Sequence, residues 1–182
     1  MLTSIQVREA IERAEHRFVG AFDGATDAQW RFQPVEGRAW SMPQIVDHVT
    51  TSNLNILPVL RDIVVASPRG DQASDFDDDD MPYIFYGGGG PLPPGLENPS
   101  GEQTNRAVCV DAVRTSVRGI LDWYDSVEVD LRDCLLTHPA FGSFDGAQWL
   151  LFIAVHMQQH RGQLLDVRNE YDATHASAQP AP

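Results

Sequence analysis

Two histidines four residues apart, His156 and His160, lie in an otherwise apolar stretch that reads as helix. Spacing of i and i+4 puts both rings on one helical face, about 6 Å apart along the axis. That face also carries Trp149, Ile153, Leu164 and Val167, so both imidazoles are expected to point inward. His48 sits in the same way between Ile45, Val49 and Ser52 on an earlier amphipathic segment. Singly, each reads best as a hydrogen-bonded core histidine. Together they are harder to explain that way, because a buried, unpaired polar ring costs on the order of 1–3 kcal/mol. One shared divalent ion would satisfy all three lone pairs, and neutral imidazole is a common ligand of zinc, nickel, iron and copper. Three protein ligands leave positions open for water or substrate, as catalytic rather than closed structural sites do. The other histidines read as surface or loop residues: His16 beside Glu15 and Arg17, His138 beside Pro139, and His175 in the tail.

The elements that must position these rings are four helical segments. The first runs from about Ser4 to Phe22, with Ile5, Ile11, Phe18 and Phe22 on its apolar side. A loop of turn formers and aromatics follows, through Trp30, Phe32, Pro34 and Gly37. The second helix opens at Ser41-Met42-Pro43-Gln44, a capping box with Trp40 and Ile45 as its hydrophobic staple. Pro58 is expected to kink it or end it early. The third spans about Asn105 to Tyr124, with Val110, Val113, Val117, Ile120, Leu121 and Tyr124 on one face. The fourth opens at Asp145-Gly146-Ala147-Gln148, a second box flanked by Phe144 and Trp149. No strand pattern of usable length is visible.

Between the second and third helices lies an excursion from about 67 to 104, with an aspartate-rich run, four consecutive glycines (87–90) and a proline-rich stretch. The aspartates fail the EF-hand register, lacking both the turn glycine and the closing glutamate. A solvated, flexible acidic loop is the expectation. A connection this long allows consecutive helices to run the same way, so the predicted architecture is an all-α four-helix bundle over residues 1–172, followed by a disordered tail at 173–182.

The three histidines and their surroundings resemble the DinB/YfiT-like family (DinB superfamily). The resemblance rests on Trp40-Ser41 with Ile45 and His48, and on the late segment His156-Met157-Gln158-Gln159-His160-Arg161-Gly162-Gln163-Leu164. Trp30 to Pro34 and the Gly37 turn fit that family's lead-in to its second helix, whereas residues 67–104 show no match. The resemblance implies an up-down-down-up bundle, a divalent metal held by His48, His156 and His160, and a homodimer. It further implies a metal-dependent transferase or isomerase using a low-molecular-weight thiol such as mycothiol or bacillithiol. A non-catalytic, stress-related metal-binding module and a metal-dependent hydrolase are the alternatives. Gln44, Ser52, Gln159 and Gln163 are candidate pocket residues or equally packing or capping ones, with the cap a sufficient explanation for Gln44, and Asp47 should point away from the site.

Composition narrows the field. The chain has 182 residues and a formal charge of −13, and all 13 of its basic residues are arginine. Such a charge repels phosphate backbones and anionic membranes, so neither nucleic acid nor membrane is an expected partner; a small molecule is. Without lysine, no side-chain Schiff base can form. Cys109 and Cys134 are too far apart in sequence for a CxxC pair and read as small buried hydrophobes in a reducing cytoplasm. No signal sequence or membrane-spanning stretch is apparent.

Overall fold

A computed structural model describes residues 1–34, 39–66, 72–85, 99–138 and 140–176. Within them, five α-helices dominate: α1 (Ser4–Asp23), α2 (Asp27–Arg31), α3 (Met42–Ala66), α4 (Arg106–Ser126) and α5 (Gly146–Ala176). The four long helices close a ring, since α1 packs on α4 and α5 while α3 packs on the same two. Asn53 of α3 meets Ser116 of α4, and one turn on in both helices Leu57 lies against Gly119. Between α1 and α4 the order reverses, with Arg8 on Asp125 and Glu15 on Arg114. The enclosed core is apolar and includes Ile11, Phe18, Phe22, Ile45, Val113, Ile120, Leu150 and Ile153.

Local sequence explains where the helices begin. Thr3 and Gln6 cap α1 reciprocally, and Thr26 and Gln29 do the same for α2. Helix α2 falls in the segment expected to be a loop, although its Thr-x-x-Gln signature was there to read. Gln44 reaches back to the Ser41 amide at 2.9 Å, while the Ser41 hydroxyl donates to the same Gln44 oxygen. The Asn105 side chain accepts from Val108 to start α4. At α5 the box closes both ways: Asp145 accepts from the Gln148 amide at 2.8 Å, and Gln148 accepts from the Asp145 amide at 3.0 Å. Phe144 and Trp149 stack edge to face beside it.

Several expectations are corrected. Helix α3 does not end at Pro58 but continues to Ala66. Ile5 is exposed, and Val7 takes its place in the core. Helix α5 extends through residues 173–176; the rest of the expected tail lies outside the described residues, as do Gly37, Pro139 and the four-glycine run. Two strands, β1 (Leu135–His138) and β2 (Gly142–Asp145), form an antiparallel hairpin leading into α5, paired from Leu135–Asp145 to His138–Gly142. The strands are four residues each, too short for a period-2 pattern to stand out. Gly142 has φ +102, and a Cβ there would come 2.7 Å from an Asp75 carboxylate oxygen. Only glycine suits that turn.

Asp75 itself shows that the acidic excursion is docked where it is described. Its amide donates to Ser143 at 3.0 Å, and its carboxylate accepts from the Ser143 amide at 2.6 Å. Gln148 donates to the Phe76 carbonyl at 2.6 Å and accepts from Ser74. Asp78 is buried, not solvated: Arg132 bridges it to Asp145, with contacts of 2.7 and 2.9 Å. Asp78 also accepts from the Leu2 amide, while Arg132 donates to the Leu2 carbonyl. Burial alone would raise the Asp78 carboxyl, but the Arg132 and Leu2 hydrogen bonds outweigh it and hold it below its ordinary range. A one-turn 3₁₀ segment (Met81–Tyr83) then buries Met81 and delivers Phe85 to the neighbourhood of His156.

Candidate metal centre

Helices α3 and α5 bring the three predicted histidines together. His48, His156 and His160 are 6–7% exposed, and one ligand atom from each lies within 4.8 Å of the other two. His156 Nε2 is 3.2 Å from His48 Nε2 and 2.9 Å from His160 Nε2. Among the described residues, no other cluster of three histidines, cysteines or carboxylates has this compactness.

The protonation pattern follows from the surroundings. His160 Nδ1 lies 2.8 Å from Gln163 Oε1, an acceptor, so Nδ1 carries the hydrogen and Nε2 keeps its lone pair toward the cluster. Burial pushes His160 down to about 4, with the neighbouring His48 adding to the effect and the Gln163 hydrogen bond opposing it. Burial drives His156 well below its ordinary value, and His160, His48 and His138 push the same way. Burial also lowers His48, against the pull of the Asp47 carboxylate. All three rings are therefore neutral near pH 7, the state in which imidazole donates to a metal. At most one hydrogen can lie between any two facing nitrogens, so the three Nε2 atoms cannot fully satisfy one another. A cation at their meeting point would. The donor set fits a divalent ion of the zinc or nickel type.

Aromatic rings wall the centre. Trp40 stacks on His160 at 6.2 Å and lies 4.9 Å from His48. Phe152 stacks on His156 at 5.8 Å, and Phe85 approaches that ring at 6.0 Å. His156 Nδ1 and Ser52 Oγ are buried without a hydrogen-bond partner among the described residues.

The other candidate residues divide. Gln163 touches the triad, and sequence position alone does not assign it that role. Asp47 accepts from the Ser100 amide and hydroxyl and the Gly101 amide, which ties α3 to the end of the crossover. Gln44 serves the cap and donates to the Pro99 carbonyl. Gln159 lines a groove beside the centre. His138 is not a bland loop residue: its ring is half-buried among Phe141, Phe144, Trp149 and Phe152, at 4.8 to 6.0 Å. Burial drives it down to about 4. Cys109 and Cys134 are free and buried, and burial raises both thiols, so neither is a ready nucleophile. His16 and His175 are exposed.

A helical bundle with three buried imidazoles converging from two helices defines a class of candidate metal-binding proteins. The chain belongs to the DinB superfamily, whose family model matches residues 10–164, a span that contains all three histidines. A search of curated proteins finds no match to the chain. No described helix is long and apolar enough to cross a membrane.

Proposed function

We propose that the protein is a divalent-metal-dependent enzyme that transfers or rearranges a small molecule with the help of a low-molecular-weight thiol. The observation that carries this reading is the convergence of three neutral, buried Nε2 atoms with no fourth protein donor in the cluster among the described residues. His48, His156 and His160 would hold the ion. When bound, it supplies a Lewis-acidic seat at which a thiol ionises near neutral pH.

The chain's own groups do the rest. Gln163 keeps the hydrogen on His160 Nδ1 and so aims Nε2. Trp40, Phe85 and Phe152 pack against the imidazoles, which are 6–7% exposed, and such burial strengthens the electrostatic interactions inside. The nearby carboxylate, Asp47, is engaged elsewhere by Ser100 and Gly101. That favours a reaction in which the substrate thiol is the nucleophile over one needing a protein general base. The proposal includes an up-down-down-up course, supported by the paired contacts of α3 with α4 and the reversed ones of α1 with α4. It also includes a homodimer in the cytoplasm, an expectation that rests on the family.

Thermal-shift and turnover measurements on stripped and zinc- or nickel-loaded protein test this reading. Thiols should raise the melting temperature of the loaded protein only, and turnover of an electrophile should require both metal and thiol. A thermal response to metal with none to any thiol would identify a non-catalytic module. Ester or amide turnover without thiol would identify a hydrolase.

A further inference from the structure

A groove of about 770 Å³ runs between α1 and α5, next to the triad but not lined by it. That volume is in the range that accommodates small-molecule ligands. Two residues connect it to the centre: Gln163 lines it while accepting from His160, and Phe85 lines it while facing the His156 ring. The groove and the triad are therefore one side chain apart.

The groove carries charges of both signs, and its Arg13, Arg17 and Asp166 are exposed. Arg13 and Arg17, one turn apart on α1, line it together with Asp166 of α5. Arg13 is shared with Glu9 at 3.1 Å. Neither Arg17 nor Asp166 has an ion-pair partner among the described residues, so opposite charges share one groove without closing on each other. Asp78 also contributes to the lining, but Arg132 neutralises it. Gln159 adds an amide to the same lining. At Gly162, an added Cβ would meet nothing within 4 Å, so the α5 wall is open there.

From this arrangement we infer that the groove seats a small zwitterion of the amino-acid or short-peptide type. Its carboxylate lies against Arg17 and Arg13, its ammonium against Asp166, and its amide against Gln159. Arginine suits the carboxylate because its planar fork pairs with two oxygens at once. A peptide-type thiol held this way extends its sulfur past Gln163 toward the histidines. That last step rests on the thiol reading above; the groove's preference for a zwitterion does not.

Calorimetric titration of the zinc-loaded full chain with glutathione and with S-methylglutathione tests both parts. Arg17→Glu and Asp166→Lys should each weaken glutathione at least tenfold with zinc content unchanged. Gly162→Leu, which enters open space, should weaken it similarly without loss of fold. S-methylglutathione should bind more weakly than glutathione but respond to the same three variants. Failure of both probes to bind, or equal affinity in wild type and all three variants, would overturn the groove assignment. Zinc-dependent glutathione binding indifferent to the variants would overturn the groove while sparing the thiol reading. Equal, zinc-independent binding of both probes that still responds to the variants would support the groove and overturn the thiol reading.

Discussion

Arg132 with its carboxylates and the three imidazoles are both buried polar clusters against α5, yet they are built in opposite ways. In the first, Arg132 meets Asp78 and Asp145, Asp78 also takes the Leu2 amide, and Asp145 also caps α5. Every charge has a partner within the chain. In the second, three neutral rings turn the same kind of atom toward one another; among the described residues His160 has its outer nitrogen bonded, to Gln163, and His156 does not. A closed cluster holds a fold together: it ties the N-terminus, the docked part of the crossover and the start of α5 to one guanidinium. An open cluster has donor atoms left over for something outside the chain. Burial therefore does not distinguish structure from function here; the completeness of the partnering does.

The contrast breaks most visibly at the histidines. His156→Ala and His160→Ala should abolish binding of a divalent ion, read by titration with zinc. In stripped protein, His156→Leu should be no less stable than wild type, because the unbound ring leaves a buried nitrogen unpaired. A stripped variant that melts well below stripped wild type would mean that the triad is a closed structural cluster after all.

Arg132→Met should be the most damaging single change to the fold, at about 3–5 kcal/mol in urea unfolding, because it leaves two buried carboxylates without their cation. A loss under about 1 kcal/mol would show that the cluster is screened like a surface pair.

Gln163→Leu should keep the fold and lower metal affinity about 10- to 100-fold, since it removes the acceptor that fixes the His160 tautomer. Competition with a chelator would measure it, and an unchanged affinity would remove Gln163 from the centre.

The smallest effect concerns pH. His138 is held neutral down to about 4 by burial, whereas an unfolded histidine takes its proton near 6.5. Between those values the unfolded chain binds more protons, so the stability that His138 contributes is present above pH 6.5 and lost as pH falls toward 4. In metal-stripped protein, His138→Phe should flatten that part of the stability-versus-pH curve. An unchanged slope would place the acid sensitivity elsewhere.

How much of this could be read in advance depended on the range of the interaction. His48, His156 and His160 stood out because helical periodicity is local, and an inward face can be counted along one segment. The start of α5 was equally legible, since Asp145 and Gln148 satisfy each other across three residues. What escaped depended on partners distant in sequence. Asp78 looks like one of several solvated aspartates until Arg132, 54 positions later, buries it. His138 looks like a loop residue until the hairpin folds it onto Trp149 and Phe152. Gln163 was visible as part of a motif, but its bond to His160 depends on a rotamer. The short helix α2 is a different case: its Thr26–Gln29 box was local and legible, and the surrounding turn formers masked it.

The central claim is that the three imidazoles form an open donor set waiting for a cation. Elemental analysis of the full chain, purified without an immobilised-metal column, tests it most directly. The account predicts close to one divalent ion per chain, absent from His156→Ala and His160→Ala proteins that remain helical. A folded wild-type protein that carries no ion and takes up neither zinc nor nickel would contradict it.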